Sequence, residues 1–181
     1  MGFGKLLGGL IEDSFAKAIE PSVIRKLAES GDAEAQYELA SIYADASGSR
    51  HNDHDAAAWF TKSAQQGNKY AQNDLGVMYL HGRGVKKNLE EAARLFRLSA
   101  GKGNEFAQIN LALCYREGHG VSQDYEKAFS WFEKAAKQDS PPGQYYLAVM
   151  YDYGMGVEPD ADEANYWYDL AEEKGYTGPQ G

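Results

Sequence analysis

Laid over itself, the 181-residue chain repeats with a period of 36. Four units follow one another without a gap, at 32–67, 68–103, 104–139 and 140–175. This constrains the fold more than any other feature. A fixed period in this range marks a helical solenoid, in which each unit is one helix pair that buries its apolar face only against its neighbours. In the first half of each unit Leu39, Leu75, Leu111 and Leu147 are followed four residues on by Tyr43, Tyr79, Tyr115 and Tyr151, which puts both on one helix face. Small residues flank each leucine: Ala40, Gly76, Ala112 and Ala148 after it, and Ala35, Ala71, Ala107 and Gly143 before it. Small beside large lets a second helix approach closely. The second half carries Ala56, Ala92, Ala128 and Ala164, then Trp59, Leu95, Trp131 and Trp167, then Phe60, Phe96, Phe132 and Tyr168. Rings at a constant helical phase predict core packing.

The punctuation keeps the same period. Asp32, Asn68, Asn104 and Ser140 stand where each first helix should begin, and Asn52, Asn88, Asp124 and Asp160 where each second helix should. All are residue types whose side-chain oxygen takes up an orphan amide proton at a helix start. Pro141 suits the first helical position of the fourth unit. Gly31, Gly67, Gly103 and Gly175 fall where helices end, and Asp139 replaces that glycine once. Between the paired helices run HGRGV from His81, EGHGV from Glu117 and YGMGV from Tyr153. No strand precedes these glycines, so they are turns with a valine anchor (Val85, Val121, Val157) rather than a phosphate-binding loop.

Leu-Gly-x-x-Tyr, Gly-x-Gly-Val, an Asn or Asp, and Ala-x-x-Trp-Phe in this order resemble the Sel1-like repeat (SLR) family, relatives of the tetratricopeptide repeats. The resemblance covers residues 32 to 175. It implies an all-α fold, a right-handed α-α superhelical solenoid of stacked antiparallel helix pairs. Departures are local: Ala46 and Ser49 stand in the first turn where glycine and valine are expected, and Leu95 replaces a tryptophan. Residues 21–31 align with the back half of a unit. Residues 1–20, with Leu6, Leu7, Leu10, Ile11 and Phe15 on one face, fit a capping helix over the open solenoid end, with a membrane-surface helix as the rival. Residues 176–181 read as a frayed tail.

Catalysis is not indicated. No Ser/His/Asp set, nucleotide fingerprint or paired-carboxylate arrangement stands out, and no cofactor or metal is expected. His51 and His54 three apart make at most half a zinc site. Cys114 takes a helix position held elsewhere by Ile42, Met78 and Met150, which predicts a buried, inert thiol. Asp160, Asp162 and Glu163 lack the glycine and terminal glutamate of a calcium loop, and helix capping accounts for them.

A formal net charge of −9 opposes binding to nucleic-acid phosphates. Eight acids against Lys174 lie between 140 and 181, either a polar outer face for a terminal repeat or a patch that steers a basic partner. The start has neither the apolar run nor the cleavage site of a signal peptide, so a cytoplasmic location is expected, and no segment is long and apolar enough to span a membrane. The family resemblance implies that first helices line a concave groove. Carried over position by position, that groove comprises Tyr37, Tyr70, Asn73, His81, Phe106, Ile109, Tyr145 and Tyr153, with Val77, Leu113 and Val149 open to a packing role instead. The expected function is a non-enzymatic scaffold for a protein or peptide, basic in character. The alternative is an immunity-type protein that neutralises a secreted toxin.

Overall fold

The computed structural model describes residues 21–45 and 52–179. The expected capping helix at 1–20, and Ala46, Ser49 and His51 of the first turn, lie outside the described residues. Within those residues the chain is all α, with nine helices and no strand. It divides into two compact units, the first ending at Lys87 and the second starting at Asn88.

The first unit holds α1 (Pro21–Glu29), α2 (Ala33–Asp45), α3 (Asp53–Gln65) and α4 (Lys69–His81). Each packs against the next. Ala28, Ala35 and Leu39 form a core against which Ile24, Leu27, Tyr43 and Trp59 close. The second unit holds α5 (Leu89–Ala100), α6 (Glu105–Glu117), α7 (Tyr125–Ala136), α8 (Pro141–Tyr153) and α9 (Ala161–Glu173), again in consecutive contact. Its core joins Leu147, Met150, Ile109, Ala112 and Phe132 with the small side chains of α7.

The helices start where the capping residues stand. Asp32 accepts the Ala35 amide at 2.8 Å, Asn68 those of Tyr70 and Ala71 at 2.9 Å, and Asn104 that of Ala107 at 3.0 Å. Asn52, Asn88, Asp124 and Asp160 do the same for the second helices. Ser140 departs from this pattern. Its hydroxyl makes no capping bond and is buried without a partner, so α8 relies on Pro141, whose missing N–H removes one orphan donor. At the other ends Asp139 adopts φ 67°, the left-handed conformation that Gly31, Gly67, Gly103 and Gly175 take in its register. Lys174 donates to the carboxylate and the carbonyl of Asp139, and Gln144 donates to the carboxylate at 3.2 Å.

The second glycine of each Gly-x-Gly turn lies against backbone. A Cβ on Gly84 would overlap the carbonyl of Asp53, one on Gly120 that of Leu89, and one on Gly156 that of Tyr125. Each turn therefore seats itself on the start of the preceding second helix, and only glycine permits so close an approach.

The aromatic stripe divides. Phe60, Phe96, Phe132 and Leu95 are buried, whereas Trp59, Trp131, Trp167 and Tyr168 are half-buried. The ammonium groups of Lys62 and Lys134 sit 3.6 Å and 3.9 Å from the ring centroids of Trp59 and Trp131. The indole N–H of Trp167 donates to Glu163 at 3.0 Å. The tryptophans roof the core at its rim instead of filling it, an arrangement that leaves one ring face for a cation.

Candidate binding faces

The expected groove residues separate by burial. Tyr70, Phe106 and Tyr153 are 47%, 55% and 72% exposed, unusually open for large rings. His81 is exposed as well, and Tyr37 and Tyr145 are half-buried. Asn73 and Ile109 are buried, at 8% and 7%, and Ile109 belongs to the core of the second unit. All four residues of the 37/73/109/145 register start from equivalent backbone positions. Val77, Leu113 and Val149 are half-buried.

In the first unit, α2, α3 and α4 enclose an open cleft of about 270 Å³. Tyr37 and Phe60 form its aromatic wall, their ring centroids 5.8 Å apart, and Tyr70 lies 5.9 Å from Tyr37 on the outer side. Asp74 faces the same space, half-buried, accepting from the Asn73 amide at 2.9 Å and from the Tyr37 hydroxyl. Burial above all, and then the Asp74 carboxylate, push the Tyr37 phenol up to about 12. Burial likewise raises Asp74 above the usual carboxylate range, partly offset by its hydrogen bonds with Asn73 and Tyr37 and reinforced by Asp45. Arg83 stands at the rim with its guanidinium on Asp53, Nη2 to Oδ1 at 2.8 Å.

In the second unit, Arg116, Gln123, Tyr125, Val149, Tyr153 and Met155 line an open cleft of about 360 Å³. Arg116 is spanned by neighbours. Its Nε meets Glu117 at 2.8 Å, its guanidinium lies over Tyr146 at 5.4 Å, and its carbonyl accepts from Gln123 at 2.7 Å. Tyr145 is held in a cluster of rings, with Tyr146, Tyr168 and Tyr176 centred 5.5 to 5.6 Å away. At the start of the segment after α9, Tyr176 packs its ring on this cluster and its N–H reaches the Ala171 carbonyl at 3.0 Å.

Cys114 is 3% exposed, and burial pushes its thiol up to about 11, far from a thiolate at neutral pH. Among the described residues no three His, Cys, Asp or Glu side chains come together to hold a metal. Asp160, Asp162 and Glu163 act at the α9 N-terminus, where the Asp160 carboxylate accepts the Asp162 and Glu163 amides at 3.0 Å.

The sequence reading missed a glutamine at the second turn of each first helix. Gln36, Gln72 and Gln108 each donate to the carbonyl eight residues earlier, Ala28, Ala64 and Ala100. Gln66 and Gln138 in turn donate to Gln36 and Gln108 at 2.8 Å and 2.7 Å. The signal was present in the same 36-residue register, as Gln36, Gln72, Gln108 and Gln144.

Stacked helix pairs, Gly-x-Gly turns seated on the preceding helix and outward-facing rings on first helices define an α-helical repeat protein. The Sel1 repeat family profile matches residues 33–68, 69–104, 106–140 and 141–176, and the chain belongs to that family. Among solved structures it is similar to a Sel1 repeat protein from Oxalobacter formigenes, with 32% identity and a TM-score of 0.80 over 86% of this chain and 62% of that one. It is also similar to a protective antigen of uropathogenic Escherichia coli with an SLR fold, at 30% identity and a TM-score of 0.62 over 84% of this chain and 40% of that one. The chain thus spans less than two thirds of the length of either. An immunity protein from Pseudomonas aeruginosa shares the fold, at 20% identity and a TM-score of 0.60 over 94% of this chain and 64% of that one. No curated protein matches the chain. Among the described residues no helix is long and apolar enough to cross a membrane.

Proposed function

We propose that the chain is a non-enzymatic interaction scaffold whose units each hold a segment of a partner protein against the exposed face of their first helices. The observation that carries this reading is the exposure of Tyr70, Phe106 and Tyr153, three large rings on first helices, Tyr70 and Phe106 at one repeat register. Rings left open to water at equivalent positions are the residue type that anchors interfaces, because they bury much area at small entropic cost. Membership of a repeat family whose members serve as interaction scaffolds supports it. The charge of −9 favours a basic partner.

The test is to titrate a captured partner against Tyr70→Ala, Phe106→Ala and Tyr153→Ala variants of the full chain. At least one should lose about 2 kcal/mol of binding, the scale of an interface hot spot, with unchanged thermal unfolding. Equal affinity for all three variants and the parent overturns the reading. An immunity-type role, in which the partner is one secreted toxin, has the fold likeness to the Pseudomonas aeruginosa protein behind it. It differs in outcome: capture yields a single tight partner instead of several weak ones.

A further inference from the structure

We propose that the cleft between α2, α3 and α4 receives the cationic end of a lysine or arginine side chain from the bound partner. The inference deepens the scaffold reading and rests on it for the partner, though the cleft can be probed alone.

The walls carry the argument. Tyr37, backed by the buried ring of Phe60, offers aromatic surface at one side, and Asp74 reaches the same space from α4 with Asp45 nearby at the end of α2. A ring face beside a carboxylate is the setting in which an ammonium or guanidinium is held from two sides, by the ring quadrupole and by charge. Among the described residues the hydrogen bonds that Asp74 receives come from Asn73 and Tyr37, both neutral donors, which solvate its negative charge without neutralising it. A carboxylate has about four acceptor sites, leaving room for a further donor. Among the described residues, the lining's one cation, Arg83, is turned to Asp53, with Nη2 at 2.8 Å and Nε at 3.4 Å from its carboxylate oxygens.

The repeat does not keep a carboxylate at this position in every unit. In the same register as Asp74 the first unit has Glu38, the third Asn110 and the fourth Tyr146. Burial raises the proton affinity of Asp74, so the folded protein works against ionising it. A buried charge that works against its own ionisation, at a position where two of the four units have no carboxylate, is accounted for by what it attracts.

The experiment follows Ser41, Val77 and Met78 signals by NMR in the full chain. The probes are three capped tripeptides: acetyl-Gly-Arg-Gly-amide, its lysine counterpart and its citrulline counterpart, which keeps the shape of arginine without the charge. Saturable shifts at these residues are expected with arginine, lysine or both, at an affinity at least about fivefold above citrulline. Asp74→Asn should lower the affinity of the cationic peptides by a similar factor without lowering the melting temperature. Equal binding of citrulline, an unaffected Asp74→Asn variant, or shifts confined to the cleft around Tyr125 and Tyr153 overturns the inference. A partner that needs Phe106 or Tyr153 yet ignores Asp74→Asn sinks this inference alone. A partner that ignores Tyr70, Phe106 and Tyr153 sinks the scaffold reading, while the tripeptide result stands independently.

Discussion

Single residues show most clearly where burial and chemistry conflict. The raised proton affinity of Asp74 fixes the sign of its contribution to stability. The folded state holds that proton to higher pH than the unfolded chain. Its contribution is therefore fully present below the ordinary carboxylate value of about 4 and is lost as pH rises through the raised folded value. Asp74→Asn should accordingly flatten the fall in stability over that window, which thermal melts at a series of pH values would read. Cys114 gives a second check, since a 3% exposed thiol pushed up to about 11 should resist a thiol reagent at pH 8 until the protein unfolds. Rapid labelling of the native chain would contradict its place in the core. The position of Asp139 was legible because a non-glycine residue interrupts a column of glycines, and the left-handed backbone follows. Asp139→Gly should melt higher than Asp139→Ala, because alanine keeps the Cβ penalty without the bonds to Lys174 and Gln144. Asn73 and Ile109 were not legible as buried. The same register holds Tyr37 and Tyr145, which are half-buried, so the register alone does not tell a buried position from an open one.

At the scale of elements, the sequence spoke plainly because helix starts and stops are local. Each cap lies two or three residues from the amide it serves, so residue type and spacing suffice to predict it. The failure at Ser140 is instructive for the same reason. A 1% exposed hydroxyl under a Pro-initiated helix makes no capping bond, and only the packing reveals that. Asn104→Ala should therefore cost about 1 kcal/mol, within the usual range for a lost N-cap, and Ser140→Ala distinctly less, as measured by urea unfolding. The glycines allow a similar contrast. Gly103 and Gly120 both have positive φ, but a Cβ on Gly103 meets nothing and one on Gly120 meets the Leu89 carbonyl. Gly103→Ala should cost about 1–2 kcal/mol, the left-handed penalty alone, and Gly120→Ala clearly more. The cleft at Asp74 escaped the sequence reading since Tyr37 and Asp74 lie one repeat plus one residue apart. Residues at that offset meet across successive first helices, a relation that a search within one helix face does not reveal.

For the molecule as a whole, stability is distributed along neighbouring helices and has no single centre. Phe132 is fully buried and Trp131 only half so, which reverses the weight their sizes suggest. Phe132→Ala should cost about 3–5 kcal/mol by cavity formation, and Trp131→Ala less, because its ring already borders water. Equal losses in calorimetry would place the indole in the core after all. The seating of Gly84 on Asp53, Gly120 on Leu89 and Gly156 on Tyr125 bears on how such a protein can change. Within each unit the spacing of one helix pair from the next is gauged by main chain against main chain, with no side chain between. Outward residues can then be exchanged for new ones without disturbing the gauge. A chain assembled in this way keeps its ruler while its vocabulary of partners is rewritten.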